Sequence, residues 1–239
     1  MEKGKIKDGF TLIELAIVLI IISLVVGGIV GGRGLIRSAN IKTVISEVND
    51  FKVAVQQYED YYGQLPGDHS TASSYWPDPQ CVDEATNPCD GGGDGSINSN
   101  FEDLRAWQHL SLAAMIKGTF NGLRVGVAGT RSPGINVPVS KSGWGGYILF
   151  AVSGDWASTD FTNGSKSVIT TGDKGCGSTM GCGTLTGPDA KLIDKKTDDG
   201  IAGTGFTKAA GDWDNGGCLA AGVYDLTDLN RYCKLGFFF

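Results

Sequence analysis

Apolar residues along this chain fall into two regimes. The first is an almost unbroken run from Leu15 to Val30, preceded by Phe10, Leu12 and Ile13. Counted from Phe10 to Val30 it is 21 residues long, enough for a helix to span a bilayer. One carboxylate, Glu14, interrupts it. A charge at membrane depth costs about 2.5–3.5 kcal/mol even on insertion scales, so Glu14 is a functional candidate by default. In the second regime Ile41, Val44, Ile45, Val48, Phe51, Val55, Tyr58 and Tyr62 recur every three or four residues, while Lys42, Glu47, Asp50, Gln56 and Glu59 fill the other positions. That spacing predicts an amphipathic helix with one buried stripe, stopped by Gly63 and Pro66-Gly67. A helix from Phe10 to Tyr62 would be about 80 Å long. Its first part (10–35) suits a membrane or filament core, and its second (36–63) suits packing on a soluble domain. Gly27, Gly28, Gly31, Gly32 and Gly34 weaken helix propensity in between. They mark either a segment able to unwind or a small-residue face for close helix packing.

Residues 64–239 are long enough for one soluble domain with its own core. Asp68 to Asn100 reads as loop, rich in Gly, Pro, Asp, Asn and Ser. Ser99 with Glu102 suggests a capping box opening a second helix, whose apolar face is Phe101, Leu104, Trp107, Leu110 and Ala114 and whose end is Lys117-Gly118. Leu123–Val127, Tyr147–Val152 and Ser167–Thr170 are strand candidates, and Pro188-Asp189 can start a short helix through Lys196. The tail from Val223-Tyr224 to Phe239 is expected to add an edge strand. The fold class is α+β, a long N-terminal helix packed on a mostly antiparallel sheet.

Ahead of the apolar run lies a short polar leader, residues 1–9, with Lys3, Lys5 and Lys7. A secretory signal places its apolar region before the cleavage site. Here the small-residue junction, Gly9, comes first. The segment Gly9-Phe10-Thr11-Leu12-Ile13-Glu14-Leu15 resembles the cleavage and methylation motif of prepilins, the precursors of type IV pilins and type II secretion pseudopilins. The resemblance implies cleavage between Gly9 and Phe10, N-methylation of the new Phe10 amine, and assembly of the mature chain into a filament. The partners it implies are a prepilin peptidase that also methylates, an inner-membrane assembly platform, sibling subunits and the membrane itself. Glu14 would then receive the Phe10 amine of a neighbouring subunit, a pairing that sets register. Leu65-Pro66-Gly67-Asp68, Ala106-Trp107-Gln108-His109-Leu110 and Asp198-Asp199-Gly200 look like stretches of minor or unclassified pilin-like proteins.

Six cysteines form three sequence-local pairs, Cys81 with Cys89, Cys176 with Cys182, and Cys218 with Cys233. None has Cys-x-x-Cys spacing, and an even count beyond a membrane argues for disulfides in an oxidising compartment. Many connectivities are open; local closure is the expectation. Cys218–Cys233 also resembles the disulfide-bounded C-terminal region of type IV pilins. Lysines before the span and Arg33, Arg37 and Lys42 after it nearly balance, so orientation rests on the cysteines and the resemblance. Both put the N-terminus in the cytoplasm of a bacterium and the soluble domain in the periplasm, single-pass in the inner membrane before entry into a pilus or pseudopilus.

Net charge is −6, with Lys and Arg scattered, so no basic patch points to nucleic acid. His69 and His109 are the only histidines, and no nucleophile elbow, phosphate loop or metal motif occurs. No catalytic residue, cofactor or metal is assigned. The acidic, glycine-rich loops with Asp90 and Asp94, with Asp212 and Asp214, and at Asp198-Asp199-Gly200 lack a full calcium ligand set and read as turns. Tyr75, Trp76 and Pro77 offer a contact loop if the subunit sits at a filament tip. The expectation is a non-enzymatic structural subunit of a type IV pilus or type II secretion pseudopilus. The alternative is a membrane-anchored periplasmic binding module or enzyme that does not polymerise.

Overall fold

A computed structural model describes residues 10–77, 89–97, 101–123, 131–151, 166–172, 183–211 and 217–239. The chain divides into two units, Met1–Asn40 and Ile41–Phe239. Helix α1 runs Leu12–Tyr62, so its first part belongs to one unit and its last to the other. It ends where Gly63 takes φ +71°, a left-handed stop that glycine adopts without strain.

In the second unit the order is α2 (Ala72–Tyr75), α3 (Glu102–Leu112), β1 (Gly146–Ala151), β2 (Lys166–Thr171), α4 (Gly187–Thr197), β3 (Thr207–Ala210), β4 (Leu219–Ala220), β5 (Val223–Tyr224) and β6 (Lys234–Phe238). Among the described residues, four strands form an antiparallel sheet in the order β1-β2-β6-β3, and β4 pairs with β5 in a separate hairpin. The α+β architecture is therefore a long N-terminal helix with an antiparallel sheet. β6 does not form an edge, as the tail was expected to. It lies between β2 and β3, opposing Val168 with Phe237 on one side and Ala209 with Leu235 on the other.

The stripe on α1 supplies the core. Ile41, Val44, Val48, Val55 and Tyr58 are buried against Leu104, Trp107, Tyr147, Leu149 and Phe237. Phe51 meets Trp107 and Tyr147 edge-on, with ring centroids 5.0 and 5.1 Å away. The alternate residues Ile148, Phe150, Ile169, Ala210 and Phe238 form a smaller cluster, so the sheet is buried on both faces. Glu47, placed by its spacing among the polar positions, is buried as well. Its carboxylate accepts from Ser140 Oγ at 2.7 Å, the Lys141 amide at 2.9 Å and Tyr147 Oη at 2.7 Å. Three donors offset much of the desolvation of that charge and pin α1 to β1 and the turn before it. Lys166 pairs with Glu59 at the far end of the same helix segment.

Helix α3 differs from expectation at both ends. Its N-cap is Phe101, at φ 72° with no side-chain cap; Ser99 lies outside the described residues, and Glu102 accepts from the Gly92 amide at 2.9 Å. Arg131 grips Asp103 in the first turn through Nε at 2.6 Å and Nη2 at 2.9 Å. The helix ends at Leu112, before Lys117, through a Schellman motif: Ala114 takes φ 56°, its amide bonds Ser111 O and the Met115 amide bonds Leu110 O. The Leu123–Val127 strand candidate falls mostly outside the described residues, and Leu123 is in no strand.

Candidate functional site: the N-terminal motif and its supporting domain

Gly9 lies outside the described residues; Phe10 is 80% exposed just ahead of α1. Thr11 caps the helix. Its amide and hydroxyl donate to Glu14 Oε2 at 2.8 and 2.7 Å, and the Glu14 amide donates back to Thr11 Oγ1 at 3.3 Å. This is a reciprocal capping box, Thr-x-x-Glu, and it satisfies amides that the first turn leaves bare. Glu14 therefore has a role inside its own subunit that its charge alone did not suggest. The signal was in the spacing of Thr11 and Glu14.

Among the described side chains from Leu12 to Ile36, the large apolar residues are about half exposed or more in the single chain, from Val18 at 47% to Leu12 at 89%. The helix is long and apolar enough to cross a membrane. A Cβ added at Gly27, Gly28, Gly31, Gly32 or Gly34 would meet nothing within 4 Å. Among the described residues nothing requires those glycines, and all five are helical.

In the second unit the Leu65–Asp68 and Ala106–Leu110 stretches meet. Gly67 donates its amide to His109 Nδ1 at 2.9 Å, which leaves the ring proton on Nε2, 2.9 Å from the Cys89 carbonyl that accepts it. Gly67 is at φ +90°, and a Cβ there would lie 2.1 Å from the Glu102 carbonyl, so glycine is required for this approach. Burial drives the His109 pKa down to about 3, and the imidazole is neutral at physiological pH. Tyr58 Oη bonds His69 Nδ1 at 2.7 Å, and burial also lowers His69. Trp76 stacks beside Tyr58 and His109 and is 9% exposed, so it belongs to the core and not to a contact surface. Both histidines thus hold the end of α1, the 64–77 loop and α3 together.

The acidic loop at Asp90 and Asp94 is built from carboxylate–amide bonds. Asp90 accepts from Ser73, Asp94 from the Ser96 amide, and the buried Asp68 from the amides of Asp94 and Gly95. Asp212 and Asp214 lie outside the described residues. Cys218 and Cys233 are joined, with Cα atoms 4.7 Å apart, and close the segment that carries β4 and β5. Cys89 is also disulfide-bonded; Cys81, Cys176 and Cys182 lie outside the described residues.

No curated protein and no solved structure gives a significant match to the chain. Residues 5–30 match the family described as the prokaryotic N-terminal methylation motif, a span that includes Gly9, Phe10, Glu14 and the apolar run. The chain carries the motif that is the hallmark of type IV pilins and pseudopilins.

Proposed function

We propose that this chain is a structural subunit of a type IV pilus or a type II secretion pseudopilus, made as a prepilin. The observation that carries the reading is the methylation motif at residues 5–30, followed by an apolar helix exposed along its length and a folded domain. A peptidase cuts between Gly9 and Phe10 and the new Phe10 amine is methylated. The helix holds the subunit in the inner membrane, N-terminus in the cytoplasm and domain in the periplasm, until an assembly platform extracts it. In the filament the exposed apolar residues of many subunits bury one another, and the glycines let helices approach closely. The work is structural, and sibling subunits are its partners.

Mass spectrometry of the mature N-terminus tests this. The expected species begins at methylated Phe10, and replacing Gly9 with a bulkier residue abolishes it. An intact N-terminus at Met1 would favour a membrane-anchored module that never polymerises. Imaging of filaments that carry the chain tests assembly separately.

A further inference from the structure

Phe206 is 70% exposed, yet its backbone is held on both sides. Its amide donates to Asp198 Oδ2, and its carbonyl accepts from the Phe238 amide at 2.7 Å. Asp199 shapes the same loop, accepting from the Ile201 amide at 2.7 Å and Thr204 Oγ1 at 2.5 Å. Ile201 is itself 55% exposed. Lys195 and Lys196 precede the two aspartates in the last turn of α4, so the acidic surface is the loop itself. An aromatic ring presented to water on a fixed backbone loses little freedom when a partner covers it. That is the character of an interface anchor.

A cleft of about 710 Å³ opens on the other side of α1. Asp50, Val53 and Gln57 line it as one i, i+3, i+7 stripe of the helix. At about 100° per residue, Lys52 falls roughly 150° round the helix from that stripe, and it donates to the Phe238 carbonyl at 2.9 Å. Helix α1 thus separates the cleft from the Phe206 loop. The strand order agrees. Val139, on the cleft wall, bridges to Gly146 along the outer side of β1, while Phe206 leads into β3, the opposite edge of the sheet. Phe120 adds apolar surface to the cleft. Lys117 and Lys141, both exposed, also line it, against one exposed carboxylate, Asp50. Glu47, the other acid there, is occupied by its three donors.

We propose that the cleft of one subunit receives Phe206 of a second copy of this chain, with Lys117 and Lys141 facing Asp198 and Asp199 across the contact. The inference rests on the filament reading and names a contact that joins soluble domains within it. A cleft of this size has room for the phenyl ring together with Ile201. Because ring and cleft lie on opposite sides of α1, the contact is heterologous: each subunit offers Phe206 to one neighbour and its cleft to another. Such contacts propagate from copy to copy, as a filament requires. The lysines and carboxylates around the ring fix register and orientation more than affinity.

The test is thiol crosslinking of the full-length chain in cells where it is the only copy. Ile201→Cys and Val139→Cys, at positions 55% and 56% exposed, are combined in one chain and treated with a short bismaleimide. The expected product is a ladder of dimers, trimers and longer species, because each copy links to two others; either substitution alone gives dimers at most. Adding Phe206→Ser should reduce the ladder by about tenfold or more while leaving the unfolding temperature unchanged. Filaments that carry the chain without a ladder overturn the contact and leave the filament reading standing. A ladder that stops at dimers, or one that Phe206→Ser leaves intact, overturns the contact too. A ladder in cells without filaments keeps the contact and sinks the filament reading. Neither ladder nor filament removes both.

Discussion

The Thr11 hydroxyl and the Glu14 carboxylate of one subunit meet at 2.7 Å. In the isolated chain, then, Glu14 closes its own first turn, and the expected pairing with a neighbour's Phe10 amine would add to that contact. The two roles separate by substitution. Glu14→Gln keeps a capping box, since Gln serves at that position, but removes the charge. Glu14→Ala removes both the charge and the capping contact. Both variants should insert in the membrane as well as wild type or better, because a costly charge is gone. Both should enter filaments poorly, scored by crosslinking in cells where the variant is the only copy. Normal incorporation of Glu14→Gln would mean that capping suffices and that the charge pair is dispensable.

His109 makes the domain sensitive to acid. In the folded state its ring is held neutral, with a pKa near 3, while an unfolded chain takes up the proton below about 6.5. The contribution is therefore complete above about pH 6.5 and is lost as pH falls toward 3, at up to about 1.4 kcal/mol per pH unit for one proton. Carboxylates titrate in part of the same range, so the comparison must be with His109→Gln. Denaturant unfolding should show a variant weaker at pH 7 but with a shallower decline between pH 6.5 and 4.

Ala114 sits in the left-handed region at φ 56°, where a Cβ is strained by about 1–2 kcal/mol. Ala114→Gly keeps both bonds of the Schellman motif and relieves the strain, offset in part by a more flexible unfolded chain. The expected result is a gain of about 1 kcal/mol, or an unfolding temperature roughly 2–4 °C higher by calorimetry.

Replacing Cys218 and Cys233 together by Ser reopens a loop with sequence separation 15, at a cost of about 3 kcal/mol in the chain-entropy model. Cys233 also exchanges backbone bonds with Leu185, at 2.9 and 3.1 Å, just before β6. Limited proteolysis should therefore cut first between residues 219 and 232, before global unfolding.

Much of this was legible along the chain. The stripe from Ile41 to Tyr62, the stop at Gly63, β1, β2 and α4 all follow from periodicity and local punctuation, because each is decided by residues a turn or two apart. The failures share a different cause. Whether β6 is central or at an edge depends on which strands reach it from far away, and nothing within Lys234–Phe238 encodes that. Strand β3, Thr-Lys-Ala-Ala, has too little apolar alternation to announce itself. Glu47 looks polar in its helix and is buried because Ser140 and Tyr147, about a hundred residues on, come to it. At the N-terminus the capping-box spacing was visible at Thr11 and Glu14, but the apolar surroundings drew attention to the charge instead.

The place of β6 also governs when this domain becomes folded. It separates β2 from β3 yet follows both along the chain, so two strands emerge from the ribosome before the one that joins them exists. Until then each carries a bare ladder of amides and carbonyls, open to chaperones and proteases. A sheet wired this way closes only when β6 arrives to join β2 with β3.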